Sequence, residues 1–505
     1  MTESALTSFE SVYLSGAAQV ITTTLIADLE TPVSAFLKLS EGRNGNIFLL
    51  ESVEGGAIRG RYSMIGLDPD LIWRCTGQTS EINRAALLNR EIFEPCPQQP
   101  LDALRALLAE SAIDLPASLP PMSAGIFGYL GYDMVRQMEE LAPAKPDPIG
   151  VPDAVLMRPT VMVIFDAVKD EITLVTPVRP KNGVSAKAAY ETAQDRLGAI
   201  VTRLEGPLNH PPVMLDPLLT AKPPVSNTSE AEFHAMVHKA KDYIRAGDIF
   251  QVVLSQRFTS DFALPPFSLY RALRRVNPSP FLCYLDFGGF QVVVSSPEIL
   301  VRVRQGTVTI RPIAGTRPRG KTALEDATLA ADLLSDPKER SEHLMLLDLG
   351  RNDVGRVAKI GTVTVTDKFF VEHYSHVMHI VSNVEGKLDP KHDNLTALAA
   401  GFPAGTVSGA PKVRAMQIID ELEKDKRGIY AGCIGYFGAN SDMDTCIVLR
   451  TSVVKDGKMH VQAGAGVVYD SVPENEAAEC VNKAKALFRA AEEAVRFASR
   501  SVKGQ

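Results

Sequence analysis

The sequence predicts an α/β protein of the α+β type, with antiparallel-rich sheets flanked by helices. Three pairs of apolar runs, at 160–178, 280–296 and 299–313, are each separated by only a few turn-forming residues, as in β-hairpins. Stretches with an apolar residue at every third or fourth position predict helices between the strands. Because hairpins join neighbouring strands in opposite directions, the sheets should be largely antiparallel.

The first two hundred residues alternate strand-like and helical runs. Residues 46–52 and 125–133 have the pattern of buried strands, and a helical stretch ends near Leu204. Residues 206–230 contain six prolines and no clear periodicity, which is typical of an inter-domain connection. We therefore predict an N-terminal domain at 1–205, a proline-rich linker at 206–228 and a C-terminal domain at 229–505.

The predicted C-terminal domain begins with a helix signal. Ser229 and Glu232 have the spacing of a capping box ahead of an apolar stripe, and Gly247 marks the expected end of the helix. Two hairpins follow, with turns at 288–289 and 305–306. This half should be a largely antiparallel sheet with helices.

The composition argues against several classes of protein. The 505 residues are 45% hydrophobic and 22% charged, which is ordinary for a globular protein with a sizeable core. The net charge of -7 gives no field that would attract a nucleic acid. The chain lacks an apolar run of membrane-spanning length and a secretory signal, so we expect no membrane association and a cytoplasmic location. The six cysteines contain no CxxC pair and should be reduced.

A carboxylate stands in an unexpected place in the helix predicted to begin at Asp336, with Pro337 at its first position and Glu339 as a capping-box partner. Glu342 shares the apolar stripe of this helix with Met345 and its neighbours. An unpaired charge on a buried face costs several kcal/mol, roughly, and therefore needs a partner. A salt bridge inside the fold is one explanation, and a bound cation is another.

The C-terminal helix repeats this feature. Ser471 and Glu474 have the spacing of its cap, and Glu476, Glu479 and Lys483 then fall on one face. Two carboxylates one turn apart are compatible with an all-oxygen Mg²⁺ site. A solvated charged face with a local lysine pair is the simpler alternative on spacing alone.

Glycine-rich segments near these helices favour a ligand. Gly464 and Gly466 interrupt a strand directly before the C-terminal helix, where glycine allows a ligand to approach the backbone closely. The loops at 310–320 and 402–412 are rich in Gly, Thr and cations, which can bind carboxylates through backbone N–H groups. Each loop alone is a weak signal.

Taken in order, these segments resemble the chorismate-utilising enzymes, which include anthranilate synthase component I, aminodeoxychorismate synthase component I, and the isochorismate and salicylate synthases. The match covers about 229–495 and rests on FQVVLSQRF, SSPEIL, IRPIAGTRPRG, SEHLMLLDLGRNDVGRV, SHVMHIVSNVEG, FPAGTVSGAPK, GIYAGCIGYFG and PENEAAEC. The resemblance implies the anthranilate-synthase-like fold, in which antiparallel-rich sheets are sandwiched and flanked by helices.

The resemblance also implies roles for individual residues. It places Mg²⁺ on Glu342 and Glu479, with Glu476 adjacent. It makes Glu298 the general acid that protonates the leaving hydroxyl of chorismate, with His379 beside the ring, where it assists the loss of pyruvate. The third member of this catalytic set is Thr406. The implied substrate-binding residues are Ala314, Gly315, Thr316, Tyr430, Arg450, Gly464, Ala465, Gly466 and Lys483.

Two positions distinguish the branches of the family. Where isochorismate and salicylate synthases carry a lysine that activates water, this chain has Gln251, whose neutral amide cannot act as a base, so the nucleophile should be ammonia. Where aminodeoxychorismate synthases carry a lysine that attacks the ring, this chain has Ala314. The resemblance therefore implies the anthranilate synthase branch, a lyase that forms anthranilate and pyruvate. The folate-branch enzyme and a non-catalytic tryptophan-sensing module are the alternatives.

The family resemblance extends to partners and regulation. The sequence has no amidotransferase signature, so ammonia should come from glutamine through a separate glutamine amidotransferase subunit, in a heterodimer or heterotetramer. The segments at 49–52 and 277–284 resemble elements that bind L-tryptophan as a feedback inhibitor, which makes 1–205 a regulatory domain. The tryptophan-binding residues implied are Glu51, Ser52, Pro280, Phe281 and Leu282. The alternative is that both segments are merely core strands.

Overall fold

The computed structural model describes residues 3–54, 58–209, 223–374 and 377–501. The α-helices in this part of the chain are α1 (Glu3–Leu14), α2 (Pro32–Ser40), α3 (Pro100–Glu110), α4 (Ala186–Glu205), α5 (Glu230–Arg245), α6 (Pro266–Val276), α7 (Ala323–Ser335), α8 (Pro337–Gly355), α9 (Asn394–Gly401), α10 (Lys412–Leu422) and α11 (Pro473–Ser501). Three short 3₁₀ helices lie at Pro121–Ser123, Tyr132–Gln137 and Gly405–Val407. None of the helices described is long and apolar enough to cross a membrane.

The strands join into one hydrogen-bonded network in which every pairing between named strands of the described residues is antiparallel. They are β1 (Gln19–Ile26), β2 (Ile47–Glu54), β3 (Ile58–Thr76), β4 (Thr79–Asn83), β5 (Glu94–Pro95), β6 (Gly125–Leu130), β7 (Ala154–Asp166), β8 (Glu171–Val178), β9 (Val225–Ser226), β10 (Gln251–Asp261), β11 (Phe281–Asp286), β12 (Gln291–Ser296), β13 (Ile299–Arg304), β14 (Thr307–Ile310), β15 (Ile313–Pro318), β16 (Thr364–His373), β17 (Val377–Lys387), β18 (Gly409–Ala410), β19 (Cys433–Gly438), β20 (Met443–Ile447), β21 (Thr451–Lys455) and β22 (Lys458–Val467). This architecture confirms the predicted class.

All three predicted hairpins are present, as the pairs β7–β8, β11–β12 and β13–β14. The last of these turns at Gln305 and Gly306, which both have positive φ, +48° and +71°. Two consecutive residues with positive φ form the tight turn whose twist matches that of the flanking strands. Local turn chemistry was therefore sufficient to predict these pairings.

Strand pairing crosses the predicted domain boundary twice. In one pairing β2 lies beside β11, with Ser52 opposite Phe281, and in the other β6 lies beside β19, with Gly128 opposite Gly435. The strands of 1–205 and those of 229–505 are thus hydrogen-bonded to each other. Division into two domains stays a prediction, and most of the predicted linker, 210–222, lies outside the described residues.

The predicted helix starts were correct in two cases, but two of the capping residues were wrong. Ser229 and Glu232 form the capping box of α5, and the Asp336 side chain accepts hydrogen bonds from backbone N–H groups at the start of α8. Glu339 does not complete a box, because its carboxylate pairs with Arg317 at 3.1 Å. In α11, which begins at Pro473, the Ser471 hydroxyl instead accepts from the Val468 N–H.

Close approach of β6 to β7 requires glycine at position 128, and close approach of β19 to β20 requires glycine at position 435. A Cβ on Gly435 would lie 2.0 Å from the Asp444 carbonyl oxygen, and one on Gly128 would lie 2.0 Å from that of Val155. These are backbone atoms, which cannot move aside as the end of a flexible side chain could. The strands would have to separate.

We expect Gly435→Ala to lower the free energy of unfolding by about 2 kcal/mol, because the added methyl group overpacks the β19–β20 pair. Urea denaturation followed by the fluorescence of the single tryptophan, the fully buried Trp73, would measure this change. Gly198→Ala is the control, since nothing lies within 4 Å of its added Cβ on α4. Alanine in a helix should be neutral or stabilising there, and equal stability of the two variants would contradict the packing argument.

Candidate functional site

The predicted catalytic residues come from separate parts of the chain. Glu298 lies in the connection between β12 and β13, His379 on β17, and Thr406 in the 3₁₀ helix Gly405–Val407. Both Glu298 and Thr406 line a small cavity of ≈ 30 Å³ beside α8. The structure therefore brings an acid and a hydroxyl together that are more than a hundred positions apart in the sequence.

Glu298 is buried, with 6% of its surface exposed. Burial raises the pKa of this carboxyl to about 8, because water no longer stabilises the charged form; the Thr406 hydroxyl, the Ile313 amide and the Lys483 charge lower the pKa by less. The Thr406 hydroxyl oxygen itself is buried without a hydrogen bond of normal geometry among the described residues. At neutral pH, Glu298 is therefore mostly protonated and can donate a proton.

His379 is buried on β17, and its ring is oriented by the neighbouring strand. Its Nδ1 lies 3.0 Å from the Gly315 carbonyl oxygen and 3.1 Å from the Thr316 hydroxyl. A carbonyl only accepts hydrogen bonds, so Nδ1 carries the proton and Nε2 is the basic nitrogen. Burial lowers the pKa of His379 to about 4, so the ring is neutral.

The Gly315 carbonyl reaches His379 through a break in strand register. The pairing of β15 with β17 shifts between Ala314 and Thr316, and Gly315 has φ +74°. Glycine adopts this conformation without strain, and a Cβ here would lie 3.1 Å from the Glu339 carboxylate. Ala314, the residue that distinguishes the branches, is buried on the same strand.

Arg450 supplies a positive charge without a counter-ion. Among the described residues, no carboxylate or other acceptor forms an ion pair or hydrogen bond with its guanidinium. Burial lowers the pKa of Arg450, and its charge in turn lowers the pKa of His379, so the two side chains lie near each other. A partly buried cation with no acid beside it is suited to binding an anion.

The glycines of β22 face this site from the strand that pairs with β10. A Cβ on Gly464 would lie 2.9 Å from the Tyr430 hydroxyl, and one on Gly466 would lie 2.6 Å from the Gln251 amide nitrogen. The amide oxygen of Gln251 is buried without a partner in the described part of the chain. The side chain of Ala465 points into the hydrophobic core because side chains alternate along the strand, so only its backbone can face this site, and its role in substrate binding stays a prediction.

Lys483 links the glycine strand to the acidic residues of α11. Its ammonium donates to the Gly464 carbonyl oxygen at 2.9 Å and pairs with the Glu479 carboxylate at 2.7 Å. Lys483 also lowers the pKa of Glu298, which places its charge on the catalytic side of the helix. The lysine predicted to bind substrate thus lies between the proposed metal residues and the general acid.

The three acidic residues predicted to bind metal lie close enough to affect one another. Burial raises the pKa of Glu342 on α8 and of Glu476 on α11, and the charge of Glu479 raises both further. In the described residues, however, no group of three or more His, Cys, Asp or Glu side chains has the geometry of a metal site. An all-carboxylate set with mutually repelling charges fits Mg²⁺ chemically, because a hard cation would relieve the repulsion.

A separate cavity of ≈ 610 Å³ lies against the cross-boundary pair β2–β11. Ser52, Pro280 and Phe281, three of the residues predicted to bind tryptophan, line this cavity. On its other side it is lined by Pro297 and Ile313, which are the chain neighbours of Glu298 and Ala314. A volume of this size accommodates a small organic ligand, and the cavity shares a wall with the catalytic site.

The side chains of Leu282 and Glu51, the other two residues predicted to bind tryptophan, contact other parts of the fold. Leu282 is opposite Glu51 in the β2–β11 register, and its side chain packs in the hydrophobic core instead of lining the cavity, so its part in tryptophan binding stays a prediction. Glu51 borders the cavity, but its carboxylate accepts hydrogen bonds from Arg274 at 2.7 and 3.0 Å and from Tyr270. Ser52 donates to the Tyr62 carbonyl oxygen at 3.2 Å.

Comparison with known proteins identifies the family. The family model of chorismate binding enzymes matches residues 55–489. Anthranilate synthase component 1 of Cereibacter sphaeroides is 59% identical over 499 residues, which cover 98% of this chain and 99% of that relative. This chain belongs to the anthranilate synthase component 1 family.

Further members support this assignment. The component 1 of Neisseria meningitidis serogroup A is 48% identical over 473 residues, covering 93% of this chain and 94% of the relative. The crystal structure of anthranilate synthase component I from Streptococcus pneumoniae TIGR4 superposes with a TM-score of 0.74 at 37% identity, covering 92% of this chain and 98% of that one. The resemblance to this family and the predicted fold are both confirmed.

In this member of the component 1 family, sequence reasoning missed Tyr374, which contacts His379, and the two residues to which Tyr374 is linked. Tyr374 packs edge-on against the His379 ring, with ring centroids 5.3 Å apart. Its hydroxyl donates to Glu372 at 2.7 Å, and Glu372 also accepts from Arg311 at 2.5 Å. The only sequence signal was the proximity of Tyr374 and Glu372 to the SHVMHI segment, because nothing in the pattern showed which way their side chains point.

The burial of Glu298 predicts an unusual titration. Difference infrared spectra of the wild type against Glu298→Gln should show a protonated carboxyl band at neutral pH that disappears near pH 8. The expected shift arises because the charged form is desolvated. A carboxyl that titrates near its ordinary value of about 4.3 would show that water reaches Glu298.

Proposed function

We propose that this chain converts chorismate and ammonia to anthranilate and pyruvate through an aminodeoxyisochorismate intermediate, as a Mg²⁺-dependent lyase. The single observation that carries the proposal is the buried, protonated Glu298 within a site that contains the neutral His379 and the unpaired Arg450. This set has a proton donor, a base and an anion-binding cation. The names of the relatives support the same reaction.

Glu298 protonates the C4 hydroxyl of chorismate, so that it leaves as water. Ammonia adds to the ring as the hydroxyl departs. Gln251 cannot take a proton from water, because its amide is neutral and non-basic, and this favours ammonia as the nucleophile. Ala314 presents only a methyl group to the ring, which argues against the folate-branch reaction through a lysine adduct.

In the second step, His379 acts on the bound intermediate through Nε2. Because Nδ1 donates to the Gly315 carbonyl oxygen, Nε2 has a free lone pair for the ring proton whose loss makes the ring aromatic as pyruvate departs. Arg450 binds a substrate carboxylate as a bidentate partner. Thr406, Tyr430 and the backbone of Gly464 and Gly466 complete the proposed binding surface.

Glu342 and Glu479 would hold Mg²⁺, with Glu476 beside them. When bound, the ion supplies positive charge that neutralises a carboxylate of the substrate. Lys483 holds Glu479 near the glycine strand through the hydrogen bond to Gly464. The chain's own contribution is therefore to orient two carboxylates from α8 and α11 toward one cation.

A separate glutamine amidotransferase subunit supplies the ammonia. The basis is that the sequence has no amidotransferase nucleophile motif and that the relatives carry the name component 1. The complex would be a heterodimer or a heterotetramer. We expect it to act in the cytoplasm.

The purified chain should form anthranilate from chorismate with ammonium and Mg²⁺, without glutamine or a partner subunit. Anthranilate fluorescence and chromatography of the products would test this. Aminodeoxychorismate as the end product would favour the folate-branch alternative, and isochorismate or salicylate at a comparable rate would place the chain in the water-using branch. A folded chain that forms none of these would favour the non-catalytic alternative.

The same assay tests the proposed Mg²⁺ residues. Glu479→Gln keeps the size of the side chain but removes a charge, and we expect it to lower turnover about a hundredfold or more, as is typical when electrostatic stabilisation of a transition state is lost. Glu421→Gln on α10 is the control, since this exposed glutamate lies outside the proposed site. Near-normal turnover of Glu479→Gln at saturating Mg²⁺ would contradict the assignment of Glu479 as a Mg²⁺ ligand.

We also propose that free L-tryptophan inhibits the enzyme from the 610 Å³ cavity. Phe281 and Pro280 offer an apolar wall for an indole, while Arg302 and Arg311 offer cations for a carboxylate. The inhibitor acts by binding more tightly to a less active conformation, since only a difference in affinity shifts an equilibrium. Because chain neighbours of Glu298 line this cavity, a ligand bound there can affect the position of the proposed general acid.

Ser52→Phe should abolish this inhibition while most of the catalytic activity remains, because the larger side chain fills the cavity and Ser52 lies outside the proposed chorismate site. Anthranilate formation measured against tryptophan concentration would test the variant. Ser52→Ala is the control, because it loses the hydrogen bond to Tyr62 but adds no bulk, and it should stay inhibited. Identical inhibition curves for wild type and Ser52→Phe would remove Ser52 from the site.

A further inference from the structure

Tyr374 has contacts on both sides of the wall between the catalytic site and the 610 Å³ cavity. On the catalytic side its ring meets the His379 ring at an interplanar angle of 62°. On the other side it lines the cavity together with Glu372 and Arg311. Tyr374 is buried, with 7% of its surface exposed.

The Tyr374 hydroxyl is the first member of a short polar chain. It donates to one oxygen of Glu372 at 2.7 Å, and the other oxygen accepts from the Arg311 guanidinium at 2.5 Å. Both Glu372 and Arg311 are about 30% exposed, which leaves them accessible to a ligand in the cavity. Charge-assisted hydrogen bonds of this kind fix direction more strongly than neutral ones.

In the described part of the chain, the hydrogen bonds of the His379 ring are confined to one of its atoms, Nδ1. Its Nδ1 is held by the Gly315 carbonyl oxygen and the Thr316 hydroxyl. Hydrogen bonds to a single ring atom do not stop the ring from rotating about that atom. Packing against neighbouring side chains must limit this rotation. The edge of the Tyr374 ring provides such packing.

We infer that Tyr374 is a positioning residue for His379. We further infer that the polar chain Tyr374–Glu372–Arg311 couples ligand binding in the 610 Å³ cavity to the position of the catalytic base. The inference rests on the proposed function. The chemical class of ligand is an α-amino acid, whose carboxylate competes for Arg311 and whose ammonium competes for Glu372. Either competition breaks the polar chain and frees the Tyr374 hydroxyl from its hydrogen bond to Glu372.

Loss of this hydrogen bond has a defined consequence for the reaction. A misplacement of about 1 Å in a reacting group can cost about a hundredfold in rate. Binding of chorismate depends on Arg450 and the other proposed carboxylate partners, which Tyr374 does not contact through a hydrogen bond in the described part of the chain. A released Tyr374 should therefore affect kcat more than KM.

Tyr374→Phe tests the positioning role, because it keeps the ring and removes the hydroxyl. We expect kcat for ammonium-dependent anthranilate formation to fall about tenfold, with KM for chorismate within about twofold of wild type. Tyr243→Phe is the matched control, since the Tyr243 hydroxyl also bonds a carboxylate, that of Glu421 at 2.7 Å, but on the exposed surface. A control equal to wild type, with both variants melting at the wild-type temperature, would separate positioning from a loss of stability.

Glu372→Gln tests the coupling. The amide oxygen can still accept from Tyr374, but the ion pair with Arg311 is lost, so kcat should fall less than in Tyr374→Phe. The concentration of tryptophan for half-inhibition should rise about tenfold, the change that corresponds to losing one charged contact of about 1.4 kcal/mol.

The outcomes separate this inference from the function on which it rests. A wild type that forms no anthranilate contradicts the proposed function. With an active wild type, Tyr374→Phe equal to it in kcat overturns the positioning role, and Glu372→Gln equally sensitive to tryptophan overturns the coupling. If Tyr374→Phe does not fold, the variants Glu372→Gln and Arg311→Met test the inference in its place. Normal kcat together with normal inhibition by tryptophan in either variant would overturn it.

Discussion

The antiparallel pairing of β2 with β11 is the constraint on which the arrangement of the two sites depends. β2 lies between β3 and β11, so a strand from the first part of the chain is built into the sheet of the second. Ladder hydrogen bonds allow little independent movement of paired strands. A ligand that displaces the wall formed by Ser52 and Phe281 must therefore also move β11 and its partner β12, which ends two residues before Glu298.

Burial sets the protonation states of Glu298 and His379, the proposed catalytic pair. The same physical cause raises the pKa of Glu298 and lowers that of His379, because burial disfavours whichever form is charged. Both groups are then uncharged at neutral pH, one as a proton donor and one as a base. The neighbouring Arg450 supplies a positive charge that is not paired with an acid among the described residues, which suits the binding of a carboxylate. In a solvent-filled site the same glutamate would be ionised at neutral pH, whereas the histidine would stay mostly neutral, because their ordinary pKa values are about 4.3 and about 6.5.

Features set by short segments could be predicted from the sequence. The hairpin turn at Gln305 and Gly306 and the Asp336 cap depend only on neighbouring residues, and the structure has both. Motif resemblance located Glu298 and His379. Side-chain direction could not be predicted in the same way, because it depends on the register between distant strands: Ala465 and Leu282 face the core, and Glu51 turns its carboxylate to α6. For the same reason the contact of Tyr374 with His379 could not be predicted, although the two residues are close along the chain.

Arg450 combines two unfavourable features that the fold itself does not compensate. Its backbone has a positive φ of +47°, a conformation that costs a non-glycine residue of order 1 kcal/mol. Its guanidinium is desolvated, and within the described residues no acid lies against it. Arg304 and Arg427, in contrast, are paired with Asp444 and Glu423. A residue under strain and lacking a counter-ion lowers stability in the free protein, and binding of an anion would compensate for the desolvation. The carboxylates of chorismate are anions of the required kind, so the cost at Arg450 supports the proposal that this residue binds the substrate.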